Sequence, residues 1–174
     1  MGRDKALLPH PTGGSWLEHG LRQLAALQLP ITLLSRWPEH RRQAEALALP
    51  QLEALVEPPP WEGPLLALHR LMARHPQQRL LLCPVDMPGL NRSSLEALLT
   101  AAAGAPEAIH LAHDGRRLQP LLGIYPNSPE QRTDLAAAIA AGERRLQGWI
   151  TQQAWRSVPL DGAAIRNINH ASDL

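Results

Sequence analysis

Short apolar runs alternate along this chain with stretches that carry the period of an amphipathic helix. The runs are Ile31 to Ser35, Leu52 to Val56 and Arg79 to Cys83; the helical stretches are Trp16 to Leu27, Pro38 to Leu47 and Gly63 to His75. Few folds accept that order. Strands separated by helix-length connections join side by side through crossovers, which gives an α/β protein with a parallel sheet. The punctuation agrees. Ser15 with Glu18 three residues on reads as a capping box for the first helix. Pro38 suits a first helical turn, where its missing N–H costs nothing, and Pro58-Pro59-Pro60 makes a rigid loop that excludes any regular element.

Near residue 105 the pattern changes. Glu107 to Ala112 and Leu118 to Tyr125 read as strands joined by His113-Asp114-Gly115, an antiparallel hairpin. Asn91 caps a helix running to about Ala103. Glu130 to Ala141 and Glu143 to Ile150 read as helices broken at Gly142, Trp155 to Leu160 as a last strand, and Asn167-Ile168-Asn169 as the lead into a short turn. We read a single domain over 1–174, with a change of subregion rather than a second domain.

Composition narrows the function. Length, 174 residues, is enough for one real core, and with no Phe and only 3% aromatics that core is built from Leu, Ala, Val and Ile. A net charge of +1 gives no global field that draws nucleic acid or an anionic membrane, so any anion site is local. The one cysteine, Cys83, excludes an internal disulfide and fits a reducing compartment. There is no apolar run near the roughly 18 residues of a membrane span and no secretory leader pattern. The expected location is cytoplasmic.

Chemistry-bearing residues gather at a few places. Leu80-Leu81-Leu82-Cys83 runs straight into Pro84-Val85-Asp86-Met87-Pro88, which sets one carboxylate at the carboxyl end of an apolar strand. In open α/β sheets ligands sit at that end. Two readings fit Asp86: a turn aspartate taking backbone N–H groups, or a Mg²⁺ ligand whose octahedron is completed by phosphate oxygens and waters. The absence of a Cys/His cluster argues against zinc. Lys5, beside Arg3 and Asp4, is either a solvated basic residue or a point charge for a phosphate oxygen. Glu62-Gly63-Pro64-Leu65 either just starts a helix or lets a ligand approach an anion-attracting helix N-terminus. Gly13-Gly14 lacks the spacing and lysine of a phosphate loop and reads as a tight turn. The eight histidines show no metal spacing. Arg144-Arg145 is a solvated face or a phosphate contact; Asn167 and Asn169 point to one side if extended. Cys83 reads as a small buried hydrophobe.

The order of these segments resembles the molybdenum cofactor guanylyltransferase family, a branch of the nucleotidyltransferase superfamily. Met1-Gly2-Arg3-Asp4-Lys5-Ala6-Leu7-Leu8 matches the tail of that family's phosphate-loop motif, Glu62-Gly63-Pro64-Leu65 its Gly-Pro-Leu turn, and Cys83-Pro84-Val85-Asp86-Met87-Pro88 its metal-binding stretch. His113-Asp114-Gly115-Arg116-Arg117 with Pro120, Ala141-Gly142-Glu143-Arg144-Arg145, and Asn167-Ile168-Asn169 with Asp173-Leu174 follow its later landmarks. The resemblance implies a Rossmann-like, three-layer αβα nucleotidyltransferase sheet, mostly parallel with an antiparallel hairpin in the C-terminal half. It implies a nucleotide-binding half, 1–104, and an acceptor half, 105–174. Lys5 and Asp86 would be catalytic, with Asp86 holding Mg²⁺. Lys5, Ser35, Glu57, Gly63 and Asp86 would bind the nucleotide, and Arg144, Asn167 and Asn169 the acceptor.

The implied reaction is attack by the terminal phosphate of molybdopterin on the α-phosphorus of GTP. The implied partners are those two substrates and proteins that make or accept molybdenum cofactor, with no nucleic acid or membrane. Two departures accompany the match. The family's first strand and paired-glycine loop have no counterpart here, so we expect an interrupted sheet with uncovered strand edges. A start upstream of Met1 is the expected cause, and a non-catalytic remnant is the rival from another class. Where relatives often carry Asn and Asp for base reading, this chain has Ser35 and Glu57-Pro58. That leaves a cytidylyltransferase, or another NTP transferase, as the rival activity.

Overall fold

In the computed structural model β1 (Ile31–Ser35) and β2 (Leu52–Val56) run parallel, paired from Ile31↔Leu52 to Ser35↔Val56. The structure describes residues 4–168, which fall within two compact units. The first draws on Met1–Glu57, Pro84–Glu96 and Leu160–Leu174. The second draws on Pro58–Cys83 and Ala97–Pro159.

In the first unit α1 (Trp16–Ala25) and α2 (Pro38–Ala46) pack on the β1–β2 pair and on each other. Ala6, Leu17, Leu21, Ile31 and Ala44 make the buried cluster between them. These are the small and aliphatic residues that composition leaves available for a core. At the start of α1 Ser15 Oγ accepts the Glu18 N–H at 3.2 Å, the half of the expected box that a side-chain cap supplies. Its own proton goes to Gln43 Oε1 at 2.8 Å, so the cap also ties α1 to α2. Gly13-Gly14 is a tight turn, closed by His10 N–H to Gly14 O (2.8 Å) and Gly13 N–H to His10 O (2.9 Å).

The second unit holds α3 (Pro64–Arg74), β3 (Leu80–Leu82), β4 (Ile109–His113), β5 (Leu118–Tyr125), α5 (Pro129–Ala140), α6 (Leu146–Ile150) and β6 (Trp155–Pro159). The helix α4 (Arg92–Ala103) begins at Asn91, whose Oδ1 accepts the Ser94 N–H at 3.0 Å. The sheet order is β3-β5-β4-β6. β5 is antiparallel to both of its neighbours, and β4 is parallel to β6. Among the described residues the strands form two sheets, the β1–β2 pair and this one.

The hairpin turn is fixed by Asp114, whose Oδ1 accepts the N–H groups of Arg116 (2.8 Å) and Arg117 (2.9 Å). Those bonds, Arg117 first, hold its carboxyl down at about 2. Helix α6 starts at Leu146, three residues later than the sequence suggests. The reason is local: Glu143 Oε1 captures the N–H groups of Arg144 (2.8 Å) and Arg145 (2.7 Å) and keeps that segment out of the helix. A complete capping box forms instead at α5, between Ser128 and Gln131.

The core of this unit is Leu65, Leu68 and Met72 from α3 against Leu111, Tyr125, Leu135 and Trp149, with the Tyr125 and Trp149 rings stacked at 6.5 Å. No helix among the described residues is long and apolar enough to cross a membrane.

At the register shift between Leu111 and Ala112 the two hairpin strands approach so closely that Gly123 has no room for a side chain. A Cβ there would stand 2.5 Å from the His110 carbonyl oxygen and 2.9 Å from Leu111 Cδ2. Gly123→Ala is expected to destabilise the protein by about 1–3 kcal/mol. Urea unfolding checks this, with a lower midpoint and an unchanged slope; a midpoint equal to wild type contradicts it.

Candidate functional site

Lys5 opens a short 3-10 turn, Lys5–Leu7, whose N-cap is Asp4. Asp4 Oδ1 accepts the Ala6 N–H at 3.1 Å, and Ala6 itself is buried in the core of the first unit. That anchors one residue of the turn inward and leaves its neighbour Lys5 at the surface. Lys5 Nζ lies 3.7 Å from Asp86 Oδ2, both side chains about one-third exposed.

Asp86 sits in the turn after β3, and the loop beyond it is pinned from several directions. Met87 and Leu90 are buried. The Asp86 carbonyl accepts the Ile168 N–H at 3.1 Å, which fixes Asn167 one residue away along the chain. His10 Nε2 meets the Pro88 carbonyl at 2.9 Å, and His19 Nε2 meets the Leu90 carbonyl at 3.1 Å. The two imidazoles stack, 3.9 Å between centroids and 10° between planes. All of these contacts lie within the first unit.

Ser35 and Glu57 stand together at the carboxyl ends of β1 and β2, where the Glu57 N–H donates to the Ser35 carbonyl at 3.1 Å. Ser35 Oγ lies 2.9 Å from His40 Nδ1 and accepts the Trp37 N–H at 3.2 Å. In the second unit Gly63 is the N-cap of α3, at φ +95°, a conformation that L side chains rarely adopt. Next to it Glu62 pairs with Arg144 Nε at 2.6 Å. Arg144 Nη1 also donates to the carbonyls of Ile139 (2.8 Å) and Glu143 (2.9 Å). The arginine expected to meet the acceptor is thus a brace for the Gly63 turn, with only part of its guanidinium open to a ligand. Asn169 lies outside the described residues.

The pairing of Lys5 with Asp86 has clear chemical uses: an exposed carboxylate edge for a hard cation, and an ammonium for an anionic oxygen beside it. Among the described residues no cluster of three or more His, Cys, Asp or Glu could cage a metal. Burial pushes the Cys83 thiol up to about 12, which keeps it protonated at neutral pH. Sequence reasoning missed His10, His19 and His40. The partners that tie them into the site, the carbonyls of Pro88 and Leu90 and the carboxylate of Asp4, are 36 or more positions away in the chain and leave no spacing to read.

Comparison with known proteins gives these residues a context. The family described as "MobA-like NTP transferase domain" matches residues 1–157. A Rhodopirellula baltica protein named "Probable molybdenum cofactor guanylyltransferase" is 31% identical over 182 residues, covering 100% of this chain and 83% of that protein. Among solved structures, molybdopterin-guanine dinucleotide biosynthesis protein A from Archaeoglobus fulgidus superposes with a TM-score of 0.72 at 19% identity, over 99% of this chain and 87% of that one. A 4-diphosphocytidyl-2C-methyl-D-erythritol synthase reaches 0.69 at 13% identity, over 98% and 91%. These two superpositions show a shared α/β nucleotidyltransferase fold.

The histidine stack makes the Asp86 loop sensitive to acid. Burial lowers the His19 pKa below the ordinary 6.5; its bond to the Leu90 carbonyl raises it, and the nearby His10 lowers it again. The unfolded chain then binds more protons than the folded one, so stability is full above about 6.5 and is lost as pH falls through the lower folded value. We expect the melting temperature to drop between pH 7.5 and 5, and His19→Gln to flatten that slope. An identical slope in the variant removes His19 from the effect.

Proposed function

The chain belongs to the MobA-like NTP transferase family, and on that premise we propose that it transfers GMP from GTP to the terminal phosphate of molybdopterin. The acceptor phosphate oxygen forms a bond to the α-phosphorus of GTP while the bond from that phosphorus to the β-phosphate bridging oxygen breaks. Molybdopterin guanine dinucleotide and pyrophosphate are the products. The observation that carries the reading is the 3.7 Å approach of Lys5 Nζ to Asp86 Oδ2. It sets one ammonium and one carboxylate side by side where a metal–triphosphate needs both.

The donor set fits Mg²⁺: Asp86 is a part-exposed carboxylate, and among the described residues no cluster of three or more His, Cys, Asp or Glu cages a metal. When bound, Mg²⁺ supplies charge neutralisation on the triphosphate. Lys5 offers its ammonium to a phosphate oxygen and offsets the charge that builds on the departing pyrophosphate. Glu57, and Ser35 beside it, accept hydrogen bonds from guanine N–H groups. The glycine at position 63 lets the nucleotide approach the backbone at the start of α3. Arg144, Asn167 and Asn169 belong on the acceptor side, which corresponds to dividing the chain into a nucleotide half, 1–104, and an acceptor half, 105–174. In a cell the substrates and product make proteins of molybdenum cofactor synthesis and delivery the natural partners.

A panel of nucleoside triphosphates, assayed with molybdopterin and Mg²⁺ by pyrophosphate release, tests the reading. GTP is expected to turn over alone or far ahead of the rest. Turnover of CTP or UTP without GTP overturns the base assignment, and binding without turnover of any of them overturns the enzymatic one. Asp86→Ala is expected to lower metal-dependent turnover by about 100-fold or more. It should leave the melting temperature nearly unchanged, because a part-exposed ion pair contributes at most about 1 kcal/mol. Wild-type rates in that variant remove Asp86 from the site.

A further inference from the structure

His40 stands in the first turn of α2, only 8% exposed, with both ring nitrogens engaged. Nδ1 is 2.9 Å from Ser35 Oγ, and Nε2 is 2.7 Å from Asp4 Oδ2. An ionised carboxylate can only accept, so Nε2 carries a proton; in the neutral ring Nδ1 then accepts the Ser35 O–H. This is not a hydrolase triad. There the hydroxyl meets Nε2 and the carboxylate meets Nδ1, the reverse of the order here. Ser35 is also buried, and its oxygen already takes the Trp37 N–H. No exposed nucleophile results.

What the ring does is tie the tip of β1 to a residue 36 positions before His40 in sequence. That residue, Asp4, is the cap of the Lys5 turn. One carboxylate oxygen holds the Ala6 N–H at 3.1 Å while the other holds His40. A 3-10 turn of three residues has too few internal bonds to fix its own orientation. Ala6 anchors it by burial at one point, and a second point is needed to stop it pivoting. The carboxylate that supplies the second point is itself 38% exposed and would turn to water without a partner. The buried imidazole, locked by Ser35 on its far side, is that partner.

We propose that His40 is a positioning residue: by clamping Asp4 it sets the direction in which Lys5 leaves the turn, and so holds the ammonium beside Asp86 and against the nucleotide phosphates. This rests on the reading that Lys5 contacts those phosphates. Through Asp4 the clamp acts on the turn, so that part of its effect on nucleotide binding exists only while Lys5 is present.

Affinity for GTP in the presence of Mg²⁺ is to be measured for the wild type, Lys5→Ala, His40→Leu, His40→Gln, and the His40→Leu/Lys5→Ala double variant. His40→Leu is expected to weaken binding about tenfold. His40→Gln, whose amide donates to Asp4 and accepts from Ser35, is expected to recover most of it. In the Lys5→Ala background the loss from His40→Leu is expected to shrink to the small part that passes through Ser35. Wild-type affinity in His40→Leu alongside weakened binding in Lys5→Ala overturns the inference, and so does an additive loss in the double variant. Wild-type affinity in Lys5→Ala, or no GTP binding by the wild type, overturns the underlying reading of Lys5 and the inference with it. Should His40→Leu fail to fold, Asp4→Ala approaches the clamp from its exposed end. With neither oxygen left for Ala6 or His40, it is expected to show the same Lys5-dependent loss, and wild-type affinity there overturns the proposal.

Discussion

Two opposite charges, each about one-third open to water and 3.7 Å apart, attract too weakly to hold two loops together. The Lys5–Asp86 pair is therefore a result of the scaffold and not a cause of it. Each partner has its own support. Lys5 is steered by Asp4, by the burial of Ala6 and by His40. Asp86 is steered by Met87 and Leu90 beneath the loop, by Ile168 on its carbonyl, and by two histidines gripping the carbonyls of Pro88 and Leu90. Supports of this kind give a part-exposed site the preorganisation that its own attraction lacks.

The parallel pair of strands performs the same service for Ser35 and Glu57. Crossover through α2 sets both strands in one direction, and the register Ser35↔Val56 brings their carboxyl ends level. The second unit solves a different problem. It lays the long strand β5 antiparallel between β3 and β4, and closes the hairpin with an aspartate that serves two backbone donors. Gly123 lets the strands meet where their register slips.

Much of this was legible in the residues themselves. Short apolar runs place β1 and β2, and period-3.6 patterns place α1, α2 and α3, within a residue or two of where they lie. The cap at Asn91 and the tight turn at Gly13-Gly14 are local chemistry and equally visible. The late start of α6 was not, since the capture of two N–H groups by Glu143 competes with the helix on nearly equal terms. Nor was the capture of Arg144 by Glu62, or the His40 bridge. Both depend on segments that only the fold brings together, and neither has a period. Asp86 and Lys5 stood out because one ends an apolar strand and the other follows a short polar turn, and the resemblance to nucleotidyltransferases then tied them into one site.

The bonds around Ser35 have a consequence for anything that arrives at the tip of β1. With the imidazole neutral, the hydroxyl hydrogen points inward to Nδ1 and one electron pair is occupied by the Trp37 amide. That leaves one electron pair on the oxygen, in a residue only 6% exposed. A group edged with hydrogen on nitrogen has something to meet there, whereas one edged with carbonyl oxygen or an unprotonated ring nitrogen sets electron pair against electron pair.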